Sequence, residues 1–418
     1  MAARELPARP DLEQYKKQAK ELVKAWKAGD PAALARIRKH HPRLSARPDP
    51  DLRPATFTLA DAQFVLAREH GFESWPKFAK HIGAVTEQSP SDRIWRAAEE
   101  AVDAIVTGDA RTVERLLHAN PDLVHARSTR THRSTLLHYV GANGVEGFRQ
   151  RTPKNAVRIA DILLSAGSDI DATAGMYGGS TTLGLMATSI HPVTAGVQEE
   201  LMAFLLDRGA SVGDATGTAA WSHLINGCHA NGRGKAAEFL AKRAPGLDLE
   251  AAAGAGRLDV VKSFFTSDGP LKGNTTETQM RDGFTWACEY GRSDVVDFLL
   301  QQGVDVNAKL KHDGQTGLHW AAYGGHPGTV RVLLRRNAHV NAKDERFGGT
   351  PLGWALYAWG GSERRTASSS GHYDVVEILV DAGATVDGDW LAESERGFPL
   401  ARRIREDARM RAALGSGR

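Results

Sequence analysis

Cysteine is nearly absent from this chain: Cys228 and Cys288 are the only two in 418 residues. Two thiols cannot build a disulfide framework or a Cys-rich metal site, and both sit in helix-like stretches, which suits a reducing cytosol. Long apolar runs are missing as well. None approaches the ~18 residues of a membrane helix, and the opening MAARELPARPDLEQYKKQ has no apolar signal-peptide core. These absences lead to the expectation of a soluble, cytoplasmic protein with no membrane partner. Nor is there an excess of one charge: 53 Lys and Arg against 50 Asp and Glu leave +3, no global bias toward nucleic acid or anionic lipid.

The common catalytic signatures are also lacking. There is no G-x-x-x-x-G-K-[ST], no H-E-x-x-H and no G-x-S-x-G. The stretch GAGRLD, Gly254 to Asp259, approaches a dinucleotide fingerprint but lacks its third glycine, and no strand precedes it. The 16 histidines fall into no metal-binding spacing. No catalytic residue, metal or cofactor is expected on this basis.

What the chain does contain is a repeat. Asp313 to Lys343 reads as a Gly-containing turn, a helix opening at Thr316, a Gly-Gly break, a second helix through Val330, Val332, Leu333 and Leu334, and an extended VNA exit. Trp286, Trp320 and Trp354 stand 34 residues apart, Glu289, Tyr323 and Tyr357 keep the same step, and so do Val306 and Val340. A two-helix unit of this size cannot bury its own apolar face and needs a neighbour of the same shape. Thr316, Gly317, Leu318, His319 and Ala321, with Thr350, Pro351 and Leu352 one unit on, follow a T-P-L-H-x-A pattern, with Gly317 in place of Pro and Gly353 in place of His. On these residues the chain resembles the ankyrin-repeat family, whose unit is roughly 33 residues. TLLHYVGANGVEGFRQRTPKN, ATSIHP and LADAQFVLAREHGFESWPKF further resemble stretches of bacterial ankyrin proteins, a likeness that implies no activity.

The resemblance implies an all-α solenoid of helix-turn-helix repeats with β-turn fingers. It makes His138 and His319 hydrogen-bonding links between adjacent repeats, and Trp286, Trp320 and Trp354 packing residues or contact residues. It turns Glu289, Tyr323 and Tyr357 toward a concave groove where the family binds partners. Tyr offers large area, little rotamer entropy to lose and a hydroxyl. With Tyr290, Trp359 and the turn residues His312, Asp313, Arg346 and Phe347, these are the candidate binding residues of the C-terminal half.

Taken in order, residues 1–85 read as a small helical N-terminal domain, 92–389 as the solenoid of seven or eight units, and 390–418 as a C-terminal capping helix. Thr58 and Ser74 stand as helix caps in the first of these. Residues 1–48 hold twelve Lys or Arg and five Asp or Glu, a local +7 that is a solvated surface or a weak route to nucleic acid. Two insertions separate the helices of neighbouring units: GVEGFRQRTPKN (144–155) and IHPVTAG (190–196). A third, GGSERRTASSS, lies in the last full unit and is expected to be mobile. In the first insertion Glu146, Arg149, Gln150, Arg151, Lys154 and Asn155 crowd beside Tyr139 and Asn143, with His191 on the adjacent wall. Such a group either binds an anion or locks two repeats together.

The reading is a non-catalytic, monomeric module that binds a protein partner. The alternative is a small-molecule site or enzyme between the aromatic groove and the insertions, with Glu146, Arg149 and His191 as its polar groups.

Overall fold

Asp11, Asp30 and Thr58 each lend a side-chain oxygen to the first free N–H groups of a helix, and so fix where the first three helices begin. The computed structural model describes residues 6, 11–44, 56–86, 90–212, 218–267, 269–273, 275–310, 313–361, 370–386 and 400–415. It divides into two compact units, Met1–Arg96 and Ala97–Arg418.

In the first unit, α1 (Leu12–Lys27), α2 (Pro31–His40), α3 (Leu59–Glu69) and α4 (Trp75–Thr86) pack through their apolar faces. Leu22, Trp26, Ile37, Phe57, Val65 and Leu66 make one core, and Tyr15, Ala67, Phe78 and Ile82 a second. Thr58 and Asp61 form a reciprocal capping box, and Ser74 Oγ accepts the Lys77 N–H at 3.4 Å. Arg36 holds Glu69 with two nitrogens, Nη2 at 2.7 Å. The positive charge of this segment includes Lys17, Lys20, Lys24 and Lys27, all exposed on α1.

The second unit is a stack of helix pairs. They are α5 (Pro90–Thr107, in this unit from Ala97) with α6 (Ala110–Ala119), α7 (His138–Gly141) with α8 (Ala156–Ser165), and α9 (Thr182–Thr188) with α11 (Gln198–Asp207), the short α10 (His191–Ala195) lying between the last two. Then follow α12 (Thr218–Ala230) with α13 (Gly234–Ala241), α14 (Leu249–Gly254) with α15 (Leu258–Ser263), and α16 (Glu277–Glu289) with α17 (Ser293–Gln301). The last are α18 (Gly317–Gly324) with α19 (Pro327–Arg335) and α20 (Pro351–Gly360) with α21 (Ser370–Asp381). Eight pairs are thus described. Among the described residues the only β structure is three isolated antiparallel bridges, Arg127 with Thr135, Thr173 with Thr181 and Phe265 with Leu271, each closing a finger. The protein is all-α.

Burying apolar area between pairs drives the stacking; Leu137, Ile159, Leu163, Leu205, Phe284, Leu299, Leu318, Leu333 and Leu352 are all buried. Three sets of hydrogen bonds then fix the register. At the signature position, His319 Nδ1 accepts the Thr316 N–H at 3.0 Å while Nε2 donates to Gly349 O of the next unit at 3.1 Å. At the inter-helix turns, Arg233 Nε reaches Ser189 O (3.1 Å), Arg292 Nε reaches Gly254 O (3.0 Å), His326 Nε2 reaches Glu289 O (2.7 Å) and His372 Nε2 reaches Tyr323 O (3.0 Å). Each link satisfies a carbonyl at the C-terminal end of the preceding inner helix. At the exits, Asp171, Asn307 and Asn341 accept the backbone N–H of Ser211 (2.8 Å), His339 (2.8 Å) and Thr385 (3.1 Å).

One expectation needs correcting. The stretch 400–414 is not a single helix: α22 (Leu400–Glu406) ends and α23 (Ala408–Gly415) restarts at Asp407. Asp407 Oδ1 accepts the Met410 N–H at 2.8 Å as a new cap, and its other oxygen accepts from the Tyr373 hydroxyl at 2.8 Å. Most of GGSERRTASSS, residues 362–369, lies outside the described residues, as do 387–399 and His312.

Candidate functional site

The first insertion carries a dense charged cluster. Its 3-10 turn, Gly147–Arg149, carries Arg149 inward until only 5% of it is exposed. There the guanidinium meets Glu99 at 2.5 Å, Asp103 at 2.8 Å and Glu146 at 3.4 Å. Arg130 bridges Glu99 and Glu146, both at 2.7 Å, and the Tyr139 hydroxyl donates to Glu146 at 2.9 Å. Burial, reinforced by the Glu146 carboxylate, pushes the Tyr139 phenol above its ordinary range. Tyr139 itself is fully buried. The cluster therefore brings Glu146, Arg149 and Tyr139 together but turns their charge on one another. Asn155 Nδ2 donates to Gly108 O at 2.9 Å and Gln150 Nε2 to Val145 O at 2.7 Å, while Arg151 and Lys154 face solvent. His191 is not part of the network. It opens α10 and shares a different cleft with Asn143, whose Nδ2 donates to Leu185 O at 3.2 Å.

The aromatic ladder is continuous over two units. Trp354 packs edge-on against Trp320 (5.4 Å) and Tyr323 (5.5 Å), and its Nε1 donates to Asp344 Oδ2 at 3.0 Å. Asp344 in turn accepts the N–H groups of Arg346 (3.0 Å), Phe347 (2.6 Å) and Gly349 (2.8 Å), which shapes the finger. The finger presents Phe347, 57% exposed, with the Arg346 guanidinium 5.0 Å from its ring. Tyr357 is 53% exposed. Asp313 sits 3.5 Å from Arg346. Trp286 continues the register but not the contact: its Nε1 donates to Glu250 at 2.9 Å and its ring stacks on His229 at 5.8 Å.

Other candidates turn inward. Trp359 is buried beside Tyr373 (6.1 Å), because α21 packs on that face of α20. Glu289 is buried where its own unit meets the His326 turn. Tyr290 gives its hydroxyl to His229 O. The carbonyl that claims the Tyr290 hydroxyl lies on α12, two units upstream, and is invisible to a residue-by-residue reading.

Two open clefts run beside these groups. One, about 650 Å³, lies at the inter-helix turns between Val193 and Gly196 of the second insertion and Tyr290 and Tyr323. Its charges are mixed, Arg292 pairing with Glu238. The other, about 900 Å³, lies between the finger closed by Thr173 and Thr181 and helices α9 and α12, with Asn143, Gln150 and His191 of the insertion region on its edge. Burial, then the nearby Arg233 charge, lowers the His191 pKa. Among the described residues no group of three or more His, Cys, Asp or Glu could hold a metal ion, and no helix is long and apolar enough to cross a membrane.

No curated protein matches the chain. Residues 249–344 and 284–389 match the family model described as ankyrin repeats (3 copies). Such repeats are generally protein–protein interaction modules. The stacked helix pairs, the His319 link and the asparagine exits of this region agree with that match: residues 249–389 carry ankyrin repeats.

Proposed function

We propose that the protein is a non-catalytic scaffold, monomeric and cytoplasmic and of bacterial type, that binds a partner protein through Tyr323, Tyr357 and the finger at Arg346 and Phe347. The observation that carries this reading is the pair of exposed aromatics, Tyr357 at 53% and Phe347 at 57%, beside a ladder of packed Trp and Tyr rings. Large aromatic surface next to an arginine is the composition of interface hot spots, and the rings behind it are already held, so little order is lost on binding. The two buried cysteines, whose thiols burial pushes up (Cys228 to about 12), are inert and suit a reducing compartment.

The small-ligand alternative would use the 650 Å³ cleft, but that cleft is open and its Arg292 and Glu238 pair with each other. Enclosure is what a small-molecule site ordinarily supplies. The deciding experiment is capture from a lysate by the full chain and by a Tyr323→Ala, Phe347→Ala, Tyr357→Ala variant, each read by native mass spectrometry. Loss of a defined protein mass in the variant, with an unchanged melting curve, is the expected result. An unchanged capture profile discards this surface, and a retained small-molecule mass moves the reading to the cleft.

A further inference from the structure

Helix-interior glycine costs stability, so each one asks for a reason. In most of this array the reason is packing: a Cβ would come within 2.9 Å of Met186 at Gly141, 2.4 Å of His229 at Gly254, 2.9 Å of Ala253 at Gly283 and 2.8 Å of Phe284 at Gly317. Gly227, inside α12, has no such reason, and nor does Gly184 in the first turn of α9. A Cβ at Gly184 would meet only Thr181 Oγ1 at 3.6 Å, and at Gly227 only Thr188 Cγ2 at 3.7 Å, ordinary contacts both. Neither has a positive φ. Both line the 900 Å³ cleft, on adjacent inner helices.

The rim of that cleft departs from rule in the same way. Tyr177 is held at φ 47°, a region disfavoured for a bulky L-residue, and is nevertheless 73% exposed. The finger that carries it is fixed: Gly175 N–H donates to His132 O at 2.7 Å, Ala174 N–H to Ser180 O at 3.0 Å, and Met176 sits so close to Gly144 that a Cβ there would lie 2.2 Å from its sulfur. Among the described residues lining the cleft none is Asp or Glu, whereas Arg233, His191 and His223 all line it. The rings of His191 and His223 make no hydrogen bond within the described residues.

We propose that this cleft seats an extended, acidic peptide segment of a partner protein. The bare floor at Gly184 and Gly227 lets a peptide backbone lie close. Tyr177 covers one of its side chains, and Arg233 with the two imidazoles receives its carboxylates. The Thr188 hydroxyl and the Asn143 amide already donate to Gly184 O and Leu185 O, so what they offer a peptide main chain is their oxygens as acceptors of its N–H groups, the usual source of affinity for extended ligands. The proposal rests on the reading of the array as protein-binding, but it assigns a seat separate from the Tyr323 and Tyr357 face.

The test uses the full chain and a library of random dodecapeptides displayed on phage, with selected peptides then synthesised and titrated by fluorescence anisotropy. Enrichment of Asp and Glu is expected, with affinity falling about tenfold or more in Gly227→Leu, whose Cβ meets only Thr188 Cγ2 at 3.7 Å and whose branch fills the floor. The melting temperature of Gly227→Leu should not fall, because Leu is the better helix former. Tyr177→Gly should weaken the same peptides while raising the melting temperature, since Gly accepts that φ without strain. Peptides without acidic enrichment, or indifferent to Gly227→Leu, overturn the proposal. Acidic peptides lost only in Tyr323→Ala, Tyr357→Ala overturn it too, and leave the aromatic face standing. A library that yields no binder also overturns it.

Discussion

Arg149 shows how one buried charge can be misread and what it does instead. Its guanidinium faces three carboxylates of unequal worth: Glu146 has a side chain 12% exposed and Glu99 29%, whereas Asp103 is 61% exposed. Removing Arg149 takes from Glu146 and Glu99 one of the two cations they share, Arg130 staying 2.7 Å from each, and losing a charged hydrogen-bond partner typically costs about 1.5–3 kcal/mol. Arg149→Ala should therefore lower the urea-unfolding free energy by about that amount, and Asp103→Asn by roughly 0–1 kcal/mol, as a solvent-screened pair would. Equal losses from the two substitutions would contradict this account. In the sequence the insertion is legible as a cluster of charge, and both a lock and an anion site fit it. What the sequence hides is distance in space: Glu99 and Asp103 sit on the helix α5, some 50 residues upstream, and no local pattern announces that they face Arg149.

At the scale of the elements, histidines join or fill the joints between repeats as neutral groups. Burial brings His138 down to about 4 and His229 to about 3, the latter assisted by the Arg292 charge, and lowers His319 as well. An unfolded chain protonates these rings near pH 6.5, while the folded one does not until the pH falls to the depressed values. Stability is then complete above about 6.5 and is lost as pH falls toward 4, by about 1.4 kcal/mol per pH unit for each such ring. Urea titrations at pH 7 and 5 measure the slope. His229, whose two ring nitrogens lack partners among the described residues, supplies the control. His229→Leu should make the slope shallower by one proton and lower stability at pH 7 by no more than about 0.5–1.5 kcal/mol, because the ring contact with Trp286 is lost but no hydrogen bond is given up. A slope unaltered by that substitution would remove His229 from the account. The legibility of elements follows the same line. From Met280 onward the 34-residue step, the signature threonines and the Asn exits make the pairs readable, because sequence period and structural period coincide. Between 136 and 248 the insertions break the period, and the links there come from Asn143, Gln198 and Arg233, ordinary polar residues whose acceptors are backbone carbonyls.

For the whole second unit the governing fact is that each helix pair touches mainly its neighbours. The hydrogen-bonded links join consecutive units, Glu289 to His326, Asn307 to His339, Tyr323 to His372 and Asn341 to Thr385. Energetics of this kind are nearest-neighbour, so a lesion should be felt locally and fade along the stack. Leu333, fully buried in α19, is a suitable place to make one. Leu333→Ala should cost about 2–5 kcal/mol in its own unit. Hydrogen exchange read by mass spectrometry should then show faster exchange in α18 to α21 and little change in α8 or α11. Uniform acceleration from α6 to α21 would instead mean that the array opens as one cooperative block. The distinction bears on binding. If opening is local, the Tyr357 face next to the last helix pairs can fray and re-form without disturbing the glycine-floored cleft between α9 and α12, and one chain can hold two partners with little coupling between them.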